Sequence, residues 1–453
     1  MAPDQGVRVP QAGPEQAAAE HGQARRGVLR NADFARLWAG ESVSLIGTQV
    51  TQFAMPLVAV LSLRATVTEV GVLNALRFVP VLLLSLLAGV WLDRRRRRPV
   101  LIGCALGNAV VVGLVPASSA AGFLSIGLLY AVVTVTGLLS MTFDVGALSY
   151  VPSLVGREHL PEANGRIQAS TAFAGVAGPG LAGLLVGLIT APITLTVDAV
   201  SYLFSAAGLI SIRSREPAPE APPGPVSVRH SIAEGLGVIW ETSLLRALLT
   251  QGAALNLFFG GYTTLFVVYA IRVVHLSPFQ LGVVVAAQAA GALAGAMTAG
   301  RVRAALGLGR TMTVNTVFVS VALLALLIPR HASVPAMIIF VAAELVYGWN
   351  IAVYNVNSIT VRQLVTPPQL LARMNASYRM VLFGVAPLGM SLGGVLGGAV
   401  GLRTALVISL VLMASPLLWL LSPVLRRAQM PEGPPAQDPH PSPGTPNVTE
   451  GQS

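Results

Sequence analysis

The 453-residue chain contains no lysine: all 29 of its basic residues are arginine. A Gly-x-x-x-x-Gly-Lys-Ser/Thr nucleotide loop is therefore absent, which excludes a primary pump within this chain and leaves an ATPase only as a separate subunit. The single cysteine, Cys104, sits in an apolar segment, so there is no disulfide framework and no cysteine-based metal site. The six histidines (His21, His159, His230, His275, His331 and His440) fall in tails, loops or the ends of apolar runs. They form no His-Glu-x-x-His and no cluster of ligands, which argues against an intramembrane enzyme and a metal centre, and nothing calls for a cofactor. Charge of either sign is scarce, at 11% of residues against 54% hydrophobic and a mean hydropathy of +0.70. A soluble fold of this size would need far more polar surface, so the chain is an integral membrane protein whose partner is the lipid bilayer.

Twelve apolar stretches of about 20 residues can be drawn, each long enough to cross a hydrocarbon core of about 30 Å as a helix. They run near Phe34 to Leu63, Val70 to Leu92, Val100 to Pro116, Phe123 to Tyr150, Ile167 to Thr190, Ile193 to Ile212, Leu244 to Ile271, Phe279 to Gly300, Thr311 to Ile328, Val334 to Thr360, Arg379 to Val400 and Ala405 to Val424. The net charge of +10 lies in the loops between these runs rather than along one soluble face, so it reports topology and not nucleic-acid binding. On the side of the N-terminus stand 22 arginines, including the run Arg94 to Arg98; only Arg64, Arg272, Arg330 and Arg403 lie opposite. The positive-inside bias then puts both termini in the cytoplasm, which requires an even number of spans. A channel would show a pore-lining repeat, and none is apparent.

The stretch from Arg213 to Glu241 breaks the apolar pattern with a Pro-rich segment and a Ser231-x-x-Glu234 capping-box signature, read as a linker and a short interfacial helix. It divides the spans six and six. Arg36 and Arg246, Gly71 and Gly282, Gly89 and Gly300, Leu154-Val155 and Leu364-Val365, and Pro179 and Pro387 recur at offsets of about 210, the mark of a duplication. The expected organisation is a disordered cytoplasmic tail (1–30), a six-helix bundle (31–212), a cytoplasmic linker with an amphipathic helix (213–243), a second six-helix bundle (244–425) and a disordered tail (426–453). The N-terminal tail has no apolar core flanked by a cleavage site, so no removed signal peptide is expected.

Gly89-x-x-x-Asp93-Arg94-x-x-Arg97-Arg98-x-x-Leu101, between the second and third spans, resembles motif A of the major facilitator superfamily, with Trp91 where the motif usually has Leu and Arg96 where it usually has Gly. The segment Val151 to Ser170, followed by Ala177-Gly-Pro-Gly-Leu-Ala-Gly183 and Asp198-Ala-Val-Ser-Tyr202, is similar to the bacterial export branch that includes macrolide and enterobactin exporters. Within it Gly178, Pro179 and Gly183 resemble a partial antiporter motif C, associated with export. The resemblance spans Asn31 to Val424. It implies an all-α membrane fold of twelve transmembrane helices in two pseudo-symmetric six-helix bundles, with substrate held near midplane. It further implies a monomer in the inner (plasma) membrane that exports amphipathic small molecules, drug, antibiotic or siderophore-like. The implied mechanism is rocker-switch alternating access driven by protons moving inward; proton-coupled uptake of a small metabolite is the competing reading.

Asp93 and its arginines are expected, by resemblance, to bind the start of the eleventh span and lock one conformation, or else simply to anchor topology. Ionisable residues inside spans are functional candidates by default. Glu344 lies ten residues into its run, about 15 Å deep, where a carboxyl either carries a proton or hydrogen-bonds a neighbouring helix as a neutral acid. Glu41 is the second candidate. For Asp144, the resemblance favours pairing with motif A arginines over proton transport, and Asp198 and Arg77 lie at similar depths. Gln49, Gln52, Phe53, Asn256, Tyr262, Gln288, Tyr347, Trp349, Asn350, Tyr354 and Asn357 supply the polar and aromatic groups expected in a substrate cavity. The topology is checked with alkaline phosphatase fusions: one after Arg427 should be inactive and one beside Arg330 active, and the opposite pattern would invert the assignment.

Overall fold

The computed structural model describes residues 28–81, 91–92, 95–214, 216, 228–367, 369–413 and 415. Gly89, Asp93 and Arg94 of the motif A segment lie outside the described residues, as do both expected tails apart from the residues adjoining the helices. Helix ends are set by caps. Asn31 accepts from the amides of Asp33 (3.0 Å) and Phe34 (3.1 Å) and starts α1, Ala32–Leu57, which closes in a π turn at Val58–Ser62. Thr66 and Glu69 form a capping box that opens α2, Val67–Leu76. Then follow α3 (Arg97–Ala120), α4 (Ile126–Leu154, capped by Ser125), α5 (Leu160–Leu188) and, after a one-turn helix Ala191–Thr194, α6 (Thr196–Ile210).

Helix α7, Val228–Glu241, precedes α8 (Ser243–Arg272), α9 (Pro278–Leu306, opened by the capping box Ser277–Gln280), α10 (Leu308–Leu324), α11 (Val334–Val365, capped by Ser333), α12 (Leu371–Val400) and α13 (Leu402–Met413). Among the described residues nine helices are long and apolar enough to span a membrane. The expected second and twelfth spans run on into residues outside the described set, and α10 is a shorter apolar helix.

Two boundaries differ from expectation. Helix α12 begins at Leu371, so Arg379 stands eight residues inside it rather than at its start. Helix α7 begins at Val228, so Ser231 is not its cap, and Glu234 instead bonds Arg373 of α12.

The repeat extends to the backbone. Thr66 and Ser277 open equivalent helices with equivalent capping boxes, and Arg64 and His275, the two non-glycine residues with positive φ among those described (53° and 61°), precede them at the same spacing of 211. Such a conformation is uncommon for side-chain-bearing residues, so its recurrence marks two copies of one turn.

Helices α1, α3, α4, α5 and α6 pack as one group, α1 on α5 and α6 and α3 on α4 and α6. In the second group α8 packs on α12 and α13, and α11 on α9 and α10. The groups meet where α2 lies on α12 and α5 on α9. Both crossings are built from glycines. A Cβ on Gly71 would fall 2.7 Å from the Met390 carbonyl oxygen and one on Gly394 would fall 3.0 Å from the Gly71 Cα. A Cβ on Gly183 would overlap the Pro278 carbonyl oxygen, and one on Gly282 would overlap the Pro179 oxygen. Close backbone approach of this kind is how helices associate where lipid removes the hydrophobic drive.

Thr68 Oγ1 donates to the Gly394 carbonyl (3.2 Å), Asn74 to Thr264 Oγ1 (3.3 Å) and Arg272 to the Ala65 carbonyl (2.6 Å), all toward the face opposite the termini. The buried side chains follow suit. One large apolar cluster takes residues from both groups at this far face, whereas at the terminal face each group has its own, around Phe34, Leu101 and Tyr150 in one and Leu245, Tyr354 and Tyr378 in the other. Among the described residues the two groups share a core far from the termini and have separate cores near them. Gly71→Leu should insert normally yet hold the α2–α12 crossing apart, lowering the population of the sealed state by about tenfold or more, the effect of ~1.4 kcal/mol. Distances between spin labels at the exposed positions Leu61 and Val395, measured with and without the substitution, check this, and an unchanged distance would refute it.

Candidate functional site

Between the groups lies a cavity with two lobes. The first, of about 380 Å³, is lined from α1, α2, α4 and α6 and includes Thr48, Gln52, Arg77, Asp144, Asp198 and Tyr202. A side chamber of about 180 Å³ shares several of these residues and adds Glu41, Gln49 and Asn108. The second lobe, of about 630 Å³, is lined from α8 to α12 by Asn256, Phe259, Gln288, Tyr347, Asn350, Tyr354 and neighbours. Arg379 and Phe383 of α12 border both.

Asp144 is exposed to the first lobe, while Asp198 is fully buried with Oδ1 accepting from Ser201 Oγ at 3.1 Å and Oδ2 without a partner. Arg77 borders the same space as these carboxylates but forms no ion pair within 4.0 Å among the described residues. Asp144 borders the same space as Arg77, while Arg94 of the motif A segment lies outside the described residues. Arg98 is engaged elsewhere: its Nε and Nη2 donate to the Leu209 and Ile210 carbonyls at 2.9 Å, and the amides of Arg97 and Arg98 donate to Glu216 at 2.6 and 3.0 Å. In the side chamber Glu41 Oε2 and Asn108 Oδ1 are buried without a hydrogen-bond partner.

Glu344 is 3% exposed and does not line either lobe. Tyr262 donates its hydroxyl to Glu344 Oε1, tying α8 to α11 within a stack of rings. Phe259 lies over Tyr347 (5.1 Å between centres) and Tyr262 over Phe266 (5.3 Å). This arrangement holds a carboxyl by one strong donor among apolar faces, where burial without a partner would be costly.

Of the cavity residues expected from sequence, Gln49, Gln52, Asn256, Gln288, Tyr347, Asn350 and Tyr354 line the space. Four do not. Phe53 packs against the shared apolar cluster, Tyr262 holds Glu344, Asn357 bonds the Val353 carbonyl within its own helix at 2.8 Å, and Trp349 donates to Thr298 Oγ1 of α9 at 2.9 Å. Residues 347, 350 and 354 share one helix face at three- and four-residue spacing, and 349 lies round the other side. Gly178 packs on Gln49, and Pro179 and Gly183 build the α5–α9 crossing, so the motif C-like segment serves the seal between the groups. Sequence reasoning missed Asn315, Arg362, Tyr378, Arg379 and Phe383. For three of them a signal was present: Tyr378, Arg379, Leu382 and Phe383 recur at three- and four-residue spacing, which sets an arginine and two rings on one face of a helix.

A family profile described as "Transmembrane secretion effector" matches residues 26–445. The multidrug efflux pump Tap of Mycobacterium tuberculosis is 28% identical over 406 residues, covering 86% of this chain and 92% of that protein. The enterobactin exporter EntS of Citrobacter koseri is 27% identical over 362 residues, covering 76% and 80%. Among solved structures, a bacterial homologue of the iron transporter ferroportin in its inward-facing state superposes with a TM-score of 0.66 at 17% identity, covering 87% of this chain and 99% of that one. The outward-facing state of that homologue gives 0.55 at 18% identity, covering 86% and 98%.

Tyr262→Phe leaves the buried Glu344 oxygen without its donor and should cost about 1–3 kcal/mol. Glu344→Gln keeps an acceptor for Tyr262 and should stay within about 1 kcal/mol of the native chain. Thermal unfolding of the purified protein in detergent compares the two, and equal losses would show that the bond is not what holds α8 to α11.

Proposed function

Since the chain belongs to the transmembrane secretion effector family of the major facilitator superfamily, we propose that it exports amphipathic small molecules across the bacterial inner membrane by alternating access. The termini are cytoplasmic, the two six-helix bundles comprise residues 31–212 and 244–425, and the working unit is a monomer. The observation that carries this reading is the shape of the core: one apolar cluster shared between the groups at the far face and two separate clusters at the terminal face. With the terminal face in the cytoplasm, the cavity is open inward and closed outward by the two glycine crossings. Transport requires those crossings to part while the terminal ends of the groups come together.

Export fits the relatives that bear export names and the place of Pro179 and Gly183 in the outward seal. Protons supply the drive, with Glu41 and Asp144 as the exchanging groups. Both border the cavity, and Glu41 offers an oxygen without a partner, so each can meet water from one side and then the other. Glu344 serves instead as the neutral acid that fixes α11 to α8, since Tyr262 and the rings around it separate it from the cavity lining.

The test is efflux of labelled amphipathic compounds from a pump-deficient host, with and without collapse of the proton gradient. Export that stops on collapse, and that is lost in Glu41→Gln and Asp144→Asn by about tenfold or more but kept in Glu344→Gln, is the expected result. Accumulation in place of extrusion would establish uptake, and unchanged export after collapse would remove the proton.

A further inference from the structure

The two lobes of the cavity differ in charge. In the first, Arg77 and the shared Arg379 stand with Asp144 and Asp198, and Glu41 borders its side chamber. The second has no carboxylate in its lining, yet two arginines, Arg362 and Arg379, border it. Arg362 is only 9% exposed. Its guanidinium lies 4.1 Å from the centre of the Tyr378 ring, its Nε donates to the Ser358 carbonyl at 3.3 Å and its Nη1 to Asn375 Oδ1 at 3.0 Å. Among the described residues its Nη2 has no hydrogen-bond partner, and neither guanidinium has a carboxylate within 4.0 Å. Arg379 is exposed to the cavity, 5.5 Å from the Phe383 ring.

A guanidinium stays charged at any working pH, so the charge of this lobe cannot be removed by losing a proton. A buried cation held only by neutral groups is stabilised further by any anion that reaches it. The planar fork of N–H donors matches the oxygens of a carboxylate, sulfonate or phosphate, and stacking on an aromatic ring fixes its plane in advance. The same lobe presents the rings of Phe259, Tyr347 and Phe383, with buried amide oxygens of Asn315 and Asn350 that lack a donor. These suit an aromatic body carrying hydroxyl or amine hydrogens.

We propose that the second lobe recognises an aromatic amphiphile by an acidic group, with Arg362 and Arg379 as its anion-binding pair. The inference rests on the export reading for its place in a transport cycle, and names the chemical class of the cargo. An acid seated there also neutralises the guanidinium groups while the terminal ends of the two groups of helices approach.

The experiment uses two fluorescent probes of like shape, anilinonaphthalene sulfonate, which is anionic, and phenylnaphthylamine, which is neutral, on the full chain in lipid nanodiscs. The native chain should bind the sulfonate more tightly. Arg362→Gln and Arg379→Gln should each weaken sulfonate binding by about tenfold or more and leave the neutral probe within about twofold, since a lost charge-assisted bond costs that order of affinity, while Arg379→Lys, which keeps the charge but not the fork, should recover only part of it. Equal affinity of the native chain for both probes, or equal loss of both in the Arg379 variant, overturns the proposal. Extrusion of both probes from cells is followed in parallel. If the neutral probe is extruded while the arginine variants bind both probes alike, the anion site falls and export stands; if neither probe is extruded while purified protein keeps its arginine-dependent preference, export falls and the site stands.

Discussion

Two crossings of backbone on backbone hold this molecule in the form observed. Where α2 meets α12 and α5 meets α9, glycines let the helices touch without side chains between them. In a bilayer, where apolar side chains gain nothing by leaving lipid, that closeness is what dispersion and a few polar bonds require. The cavity exists because these crossings lie at one face only. At the crossings themselves few long side chains are ordered, so those backbone contacts form and break with little rotamer cost.

The duplication is visible in the crossings themselves. Gly71 and Gly282 are equivalent, and so are Gly183 and Gly394, at the same spacing of 211. Each contact therefore joins one position of the first copy to the complementary position of the second, which makes the two crossings related by a pseudo-two-fold. The cavity departs from that symmetry. One lobe sets carboxylates against arginines and the other holds rings, amides and guanidinium groups with no carboxylate. The shell of the molecule kept the repeat, because both halves must close the same gap, while the lining diverged toward chemistry.

Much of the fold was legible in the sequence. Long apolar runs, the asymmetry of arginine and the recurring glycines each report a demand of the bilayer that acts on single residues. The cavity was legible only in part. Tyr347, Asn350 and Tyr354 were found because polar groups in one helix are hard to present to lipid, but the same reasoning admitted Trp349 and Tyr262, whose partners Thr298 and Glu344 belong to other helices. Composition shows that a polar group needs a partner and cannot say whether that partner is cargo or protein. Arg379 was counted with the charges that mark topology, because apolarity alone put the helix start at that residue, eight positions beyond Leu371. Glu216 went unnoticed for a related reason: a carboxylate that caps α3 from over a hundred positions away leaves no local pattern.

The contact of Glu216 with the amides of Arg97 and Arg98 also fixes one end of the link between the halves. The other end is fixed by α7, where Gly235 lies against the Arg373 backbone, Ser377 donates to the Ile232 carbonyl at 3.2 Å and Ile239 is wholly buried. Only residues 217–227 lie between these moorings. Fully stretched, the chain from Glu216 to Val228 reaches about 40 Å. That length is a leash, and it caps how wide the mouth on the terminal side can gape.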